Sequence, residues 1–173
     1  MMNEIQARPK DRNRATVEIV SDTEVLITRT FDAPRDLVFE AITTPEHVRR
    51  WYGCDAMQMT TCEMDVKVGG AWRYVLRMPD GSEHGFHGEY REISPPTRLV
   101  STENYEPIGP GHEVVATVTL EEKSGKTLFK NLLKYRSKAD RDGHLQSGME
   151  TGMQESFDRL EAIVTARARD ARR

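Results

Sequence analysis

The stretch METGMQESFDRLEAIV, residues 149–164, decides the fold of this 173-residue chain. Its apolar residues follow the series i, i+4, i+8, i+11 and i+15, which places them on one face of an α-helix. The other face carries charged side chains, so one side of the helix covers a core and the other meets water. The pattern predicts a long C-terminal helix that begins near Ala139 and frays into an arginine-rich end. The residues of the apolar face are Met149, Met153, Phe157, Leu160 and Val164.

Upstream of this helix the apolar residues change to a period of two, and turn signals recur. Glycine or proline marks turns at residues 69–70, 79–81, 95–96, 107–111 and 123–125. Six strands fit between these breaks, and connections this short favour an antiparallel meander. The predicted strands span residues 57–68, 71–78, 83–93, 97–106, 112–122 and 126–136.

The N-terminal third predicts one further strand and two short helices. A strand over residues 24–31 precedes Asp32, which favours the N-cap of a helix, and Pro34, which suits its first turn. Thr44 and Pro45 repeat this start signal for a second helix that ends near Arg50. The first residues are charged and lack a sustained period, so we expect them to bury little. The predicted organisation is a flexible N-terminal arm at 1–21, a single domain at 22–167 and a basic C-terminal tail at 168–173.

The composition indicates a soluble globular chain. Apolar residues make up 37% of the sequence, enough for one substantial core, and the formal net charge is −3. This charge gives no basic field, so neither a nucleic acid nor a membrane is expected as a partner. The first residues lack the apolar stretch of a secretory signal, which favours a cytoplasmic location. In that compartment we expect Cys54 and Cys62 to be reduced thiols.

Several short motifs resemble one known family. They are TRTFDAP at 28–34, TPEH at 44–47 followed by WYG at 51–53, VGGAW at 68–72, PDG at 79–81 and GEYREI at 88–93. Over residues 23–165 they are similar to the branch of the START-like (SRPBCC) superfamily related to the activator of the ninety-kilodalton heat-shock protein ATPase. The resemblance implies the α+β helix-grip fold, which birch-pollen allergens also have. Its parts are a curved antiparallel sheet of about seven strands, two short N-terminal helices and a long C-terminal helix over a cavity.

The resemblance leaves the function open, because this fold serves lipid carriers, hormone receptors, polyketide cyclases and co-chaperone segments. The sequence departs from the family pattern after Trp51. Relatives carry a second tryptophan and a proline there, whereas this chain has Tyr52 and Cys54, which predicts a more polar corner. The eukaryotic co-chaperone uses an additional N-terminal domain, which we do not expect the arm at 1–21 to supply.

One polar residue is predicted within an apolar row of the last strand. If Lys130 and Lys134 face water, strand alternation turns the odd-numbered residues 129–135 inward, and these include Asn131. An inward amide needs a hydrogen-bond partner, because an unpaired buried one costs about 1–3 kcal/mol. Water, the backbone or a ligand group could supply that partner.

The candidate binding residues surround the predicted space between the sheet and the terminal helix. Aromatic side chains on the inner strand faces could line a pocket or pack as plain core. On the helix, Gly148 and Gly152 allow close approach of either the sheet or a ligand, and the methionines form an adaptable wall. Trp51 lies near a helix end, where its ring could gate the cavity. The candidate ligand-binding residues are Trp51, Tyr74, Phe86, Tyr90, Glu103, Asn131, Met149, Gly152, Met153 and Phe157.

Patterns of catalytic, metal-binding or cofactor-binding residues are missing from the sequence. There is neither a Gly-x-Ser-x-Gly motif nor a phosphate-binding loop, so no catalytic residue and no cofactor is predicted. His84 and His87 lie three apart on a strand and face opposite sides, which argues against a shared metal ion. Glu63 and Asp65 share a strand face, but the alternation points both to solvent.

These observations favour a binding protein over an enzyme. The leading hypothesis is a small apolar or amphipathic ligand between the sheet and the terminal helix, oriented by Asn131 with Glu103 or Tyr90. The first alternative is a cyclase- or hydrolase-type enzyme that uses the same cavity for acid–base chemistry. The second is a chaperone-accessory protein, which would need an exposed interaction surface. A homodimer is compatible with all three.

Overall fold

The computed structural model describes residues 13–173, which form eight strands and four α-helices. The strands lie in one antiparallel sheet that curves around the C-terminal helix, and this confirms the predicted α+β helix-grip fold. The elements in chain order are β1 (Thr16–Ser21), β2 (Glu24–Phe31), α1 (Arg35–Thr43), α2 (Pro45–Trp51), β3 (Gln58–Met64), β4 (Ala71–Arg77), β5 (Glu83–Ser94), β6 (Arg98–Tyr105), β7 (Val114–Lys123), β8 (Lys126–Lys134), α3 (Lys138–Gln146) and α4 (Met149–Asp170).

The sheet order is β1-β2-β8-β7-β6-β5-β4-β3. Strands β3 to β8 therefore form the predicted meander, in which each strand pairs with its neighbour along the chain. The last strand of the meander then pairs with β2, and α1 and α2 connect β2 to β3. One inner row of side chains runs across the sheet through Ile27, Asn131, Val118 and Leu99. This row supports the helix that crosses the sheet.

The predicted N-terminal arm extends too far. Residues 16–21 form β1, which pairs antiparallel with β2 and makes the sheet eight strands wide rather than about seven. As an edge strand, β1 has one partner and faces solvent, so Ile19 and Val20 stay exposed and give no core-like period. Residues 1–12 of the predicted arm lie outside the described part of the chain.

The predicted long C-terminal helix is confirmed as α4, but its predicted start near Ala139 is wrong. The segment is interrupted at Gly148, whose φ of +80° belongs to the left-handed region that glycine adopts most readily. The first piece, α3, is capped by Ser137, whose side chain accepts a hydrogen bond from the backbone N–H of Asp140 at 3.1 Å. The second piece, α4, continues to Asp170 with Ala168 buried, so the basic tail predicted at 168–173 begins too early.

The start of α1 differs from the prediction by two residues. Pro34 rather than Asp32 occupies the N-cap position. The Asp32 carboxylate instead forms an ion pair with Lys126 at 3.1 Å, which ties the helix entry to β8. The second helix begins at Pro45, as the sequence predicts, and ends at Trp51.

The two glycines of the terminal segment predict opposite responses to alanine. Gly148→Ala forces a side chain into the left-handed region and should lower the free energy of unfolding by about 1–2 kcal/mol. Gly152 lies within α4, and a Cβ added there meets no atom within 4 Å. Gly152→Ala should therefore raise the free energy of unfolding by about 0.5–1 kcal/mol, because alanine has the higher helix propensity. Urea denaturation of both variants measures the difference, and equal shifts would contradict the break at Gly148.

Candidate functional site

A cavity of about 330 Å³ lies between the inner face of the sheet and the N-terminal half of α4. Its volume is at the lower end of the range of small-molecule sites. All the candidate ligand-binding residues lie around this cavity: Trp51, Tyr74, Phe86, Tyr90, Glu103, Asn131, Met149, Gly152, Met153 and Phe157. The structure thus brings the whole predicted set together, while the binding role itself remains a prediction.

The cavity forms because α4 packs tightly on the sheet at one end only. Phe157 lies edge-on to Phe31 at 5.8 Å and to Phe129 at 5.2 Å between ring centroids, which closes the cavity on that side. Toward the N-terminus of α4, Met153 and Gly152 face the open space. A Cβ added at Gly152 would touch nothing within 4 Å, so this glycine does not mediate close packing against the sheet.

Aromatic rings form the opposite wall of the cavity. The ring of Tyr52 lies 4.8 Å from Tyr74 and 6.1 Å from Phe86, and Trp72 lies 4.7 Å from Tyr74. The indole N–H of Trp72 donates to the backbone oxygen of Thr102 at 3.1 Å. Each ring is thereby fixed by a neighbour, so this wall is rigid compared with the methionines of α4.

Gly88 permits the position of Trp72. The two residues are paired across β4 and β5. A Cβ added at Gly88 would lie 1.8 Å from the Thr102 oxygen and 2.7 Å from the Trp72 indole nitrogen. A larger residue at Gly88 would displace the backbone of β6, so the aromatic wall depends on glycine here.

Trp51 is anchored at the edge of the cavity. Its indole N–H donates to the backbone oxygen of Ala41 at 2.9 Å, and its ring packs edge-on against Tyr52 at 5.8 Å. The hydrogen bond fixes the ring to α1. A gating role for Trp51 stays a prediction.

The loop after α2 covers one side of the cavity and is tied to α4. The backbone oxygen of Gly53 accepts hydrogen bonds from Ser156 Oγ, at 2.6 Å, and from the guanidinium of Arg159. The backbone N–H of Asp55 donates to Glu155 at 2.9 Å. This loop also brings Cys54 and Met57 to the cavity, and the Cys54 thiol is free. No local pattern predicts these hydrogen bonds, because they join segments about a hundred residues apart.

Two polar groups that face the cavity lack a partner among residues 13–173. Asn131 Oδ1 is buried and accepts no hydrogen bond from residues 13–173. The Glu103 carboxyl forms no ion pair within the same range, and burial raises its pKa above the ordinary value of 4.5. The predicted amide is thus inside the fold, and no backbone group satisfies its oxygen.

A hydroxyl–imidazole pair lies beside Glu103 and was not predicted as part of the site. The Tyr135 hydroxyl lies 2.5 Å from Nδ1 of His144, which reaches the cavity from α3. Burial lowers the pKa of His144, which keeps the imidazole neutral near pH 7. Burial and the nearby Glu103 carboxyl both raise the pKa of Tyr135 and of Tyr52. His144 lies on a polar helix with few apolar positions, so no periodicity could assign it inward.

The outer face of the sheet carries paired charges. His87 Nδ1 lies 3.1 Å from Glu106, which also accepts two hydrogen bonds from Arg73. His84 lies on the opposite face of β5, with Phe86, and its ring stacks on Tyr105. Glu63 and Asp65 are exposed, as the alternation predicts. Within residues 13–173, no group of three or more histidine, cysteine or acidic side chains could hold a metal ion. In the same range, no helix is both long and apolar enough to cross a membrane.

Asn131→Leu should stabilise the protein. The substitution removes an acceptor that has no partner and adds apolar contact, so we expect the free energy of unfolding to rise by about 1 kcal/mol. Asn104→Leu is the matched control, because the Asn104 amide donates to Glu113 at 3.3 Å and this hydrogen bond would be lost. Urea denaturation compares the two variants. A loss of stability in Asn131→Leu would show that the amide has a structural partner.

Glu103→Gln should stabilise the protein only where Glu103 is ionised. Because burial raises the folded pKa of Glu103, its ionisation lowers stability as pH rises through that pKa, and below the unfolded pKa the penalty is absent. We expect a gain of about 1 kcal/mol at about pH 8, or about 2–4 °C in Tm, and little difference at about pH 4. Glu89→Gln, an exposed substitution on β5, controls for net charge. Equal Tm gains at both pH values would contradict the raised pKa.

Comparison with known proteins identifies the family. The family model for "Activator of Hsp90 ATPase homolog 1-like protein" matches residues 32–165. A crystal structure from Rhodobacter sphaeroides is 27% identical with a TM-score of 0.82, covering 88% of this chain and 99% of that one. The Mycobacterium smegmatis protein Ms6760 is 21% identical with a TM-score of 0.78, covering 88% and 98% of the two chains.

A solution structure from Arthrobacter aurescens shows the same fold at 23% identity, with a TM-score of 0.76 and coverage of 87% and 91%. No curated protein sequence matches this chain. The family match spans most of the domain and includes every element from α1 to the middle of α4. The chain therefore belongs to the family of Activator of Hsp90 ATPase homolog 1-like proteins, within the START-like superfamily.

Proposed function

We propose that the protein binds a small apolar or amphipathic molecule in the cavity beneath α4. The observation that carries this proposal is Asn131 Oδ1, a buried acceptor that borders a cavity of about 330 Å³ and has no hydrogen-bond partner in the described part of the chain. A bound hydroxyl, amine or amide group would donate to this oxygen and remove the cost of leaving it unpaired. The walls around it would bury the apolar part of the same ligand.

The two sides of the cavity support binding in different ways. The rings of Tyr52, Tyr74 and Phe86 provide a fixed wall that sets the shape of the site. Met149 and Met153 on α4 are flexible thioethers, which adapt to ligands of different outline. A preformed wall facing an adaptable one is typical of sites that accept a class of apolar molecules rather than a single compound.

An enzyme of cyclase or hydrolase type is a second candidate. The observation that favours it is the Tyr135–His144 pair at 2.5 Å beside Glu103, whose raised pKa suits a general acid. The discriminating variants are Glu103→Gln and Tyr90→Phe, because both residues border the cavity. Loss of turnover with unchanged ligand affinity would favour the enzyme, and full turnover in both variants would exclude these groups from the chemistry.

Filling the cavity should abolish binding. Gly152 has room for a side chain on its cavity side, so Gly152→Leu should place an isobutyl group inside the site without disrupting α4. We expect the affinity for the neutral apolar dye N-phenyl-1-naphthylamine to fall at least about tenfold. Fluorescence titration of the full chain measures this change.

Thr151→Leu is the matched control, because Thr151 is the preceding residue of α4 and is exposed. It adds the same side chain outside the cavity and should leave dye affinity unchanged. Native mass spectrometry of the protein from cells, with solvent extraction alongside, should detect a co-purified small molecule that Gly152→Leu lacks. Empty protein and equal dye affinity in both leucine variants would overturn the proposal.

A further inference from the structure

We propose that the ligand carries a cationic group, such as a protonated amine, that pairs with Glu103 while its apolar or aromatic body fills the cavity. This inference rests on the proposed binding function and specifies the chemical class of the ligand. It follows from the charge balance of the cavity, from the lack of a protein partner for Glu103 and from the positions of the polar groups on the sheet.

An ionised Glu103 would make the charge balance of the cavity negative. Among the described residues that line it, Glu103 is the one acidic side chain, and there is neither lysine nor arginine. His144 is the remaining basic side chain, and its burial favours the neutral imidazole. An ionised Glu103 therefore has no compensating charge in the cavity, and a bound cation would supply one.

A half-buried acid on the outer face of the sheet has a cationic partner, because Glu106 pairs with Arg73 at 2.8 Å. Glu103 lies on the inner face of β6, where burial is the cause that raises its pKa. Among residues 13–173 it forms no ion pair. The acid that faces the cavity thus lacks the arginine that Glu106 has.

The aromatic wall adds a second attraction for a cation. Glu103 lies close enough to Tyr52 for its charge to raise the pKa of the phenol. The Tyr52 ring continues into Tyr74 and Phe86 at centroid distances of 4.8 and 6.1 Å. An organic cation beside Glu103 would contact the negative faces of these rings, an interaction that strengthens when water is excluded.

The spacing of Glu103 and Asn131 indicates a ligand with two polar ends. Across the sheet, Asn131 on β8 pairs with Val118 on β7, and Val118 pairs with Leu99 on β6. Asn131 is therefore two strands, or about 10 Å, from Leu99. Glu103 lies four residues beyond Leu99 along β6, or about 13 Å. One head group cannot reach both anchors. The geometry thus points to a cation at Glu103, an apolar middle, and a hydrogen-bond donor at Asn131.

The test compares probes that share one carbon skeleton and differ in the head group. The probes are 4-phenylbutylamine, 4-phenylbutan-1-ol and 4-phenylbutanoate, titrated calorimetrically into the full chain at about pH 8, where the amine is charged. We expect the amine to bind at least about tenfold more tightly than the alcohol, and the acid to bind most weakly. Gly152→Leu should weaken all of them.

Glu103→Gln should lower the amine affinity to about that of the alcohol and leave the alcohol affinity within about twofold. Retained alcohol binding shows that the variant keeps its cavity. Glu89→Gln removes the same charge from the exposed face of β5 and should keep the wild-type order. Three outcomes would each overturn the inference of a cationic ligand. They are equal affinities for the amine and the alcohol, a preference for the acid, and a preference for the amine that persists in Glu103→Gln.

If the inference of a cationic ligand fails in one of these ways, the proposed function is still supported when Gly152→Leu abolishes binding of the probes. If none of the probes binds but a co-purified molecule occupies the cavity, the cation inference again fails alone. If native mass spectrometry finds the cavity empty and Gly152→Leu changes no affinity, both proposals fail.

Discussion

The structure depends on the attachment of α4 to the sheet at one end. Phe157 joins Phe31 and Phe129 in a cluster of edge-on rings, and Leu160 and Val164 are fully buried behind it. Burial of such side chains contributes about 1.5–3 kcal/mol each, so this half of the helix has enough apolar contact to fix its direction. The other half extends over the sheet without filling the space below, and the cavity is the result.

The two halves of α4 differ in how their polar surroundings are satisfied. Charges along the anchored half of α4 form ion pairs, as in Arg29–Asp158 at 2.9 Å and Arg167–Glu40 at 2.7 Å. At the open half, Asn131 Oδ1 accepts no hydrogen bond and Glu103 forms no ion pair among residues 13–173. A buried polar group without a partner lowers stability, so Glu103 and Asn131 are costly to the empty protein. The anchored half offsets that cost, which lets the open half carry groups suited to a ligand.

The sequence predicted those parts of the site that depend on local periodicity. Lysines on β8 assigned its faces and so placed Asn131 inside, and the methionine and phenylalanine series identified the face of α4 that lines the cavity. The break at Gly148 was missed because a left-handed glycine does not disturb the apolar series beside it. His144 was missed because α3 is a polar helix with few apolar positions, so no periodicity assigns its inner face. The ties between Gly53 and α4 were missed because they are contacts between distant segments.

Family membership alone does not determine what the cavity holds, because this fold serves several functions. The residues that border the cavity are therefore informative. They include Tyr52 and Cys54, the two positions at which the resemblance implies a departure from the family motif. Tyr52 is also the ring whose phenol responds to the charge of Glu103. Tyr52, Cys54 and Glu103 thus border the same cavity, and Glu103 forms no ion pair among residues 13–173. The proposed cationic ligand would bring the complementary charge to this carboxyl.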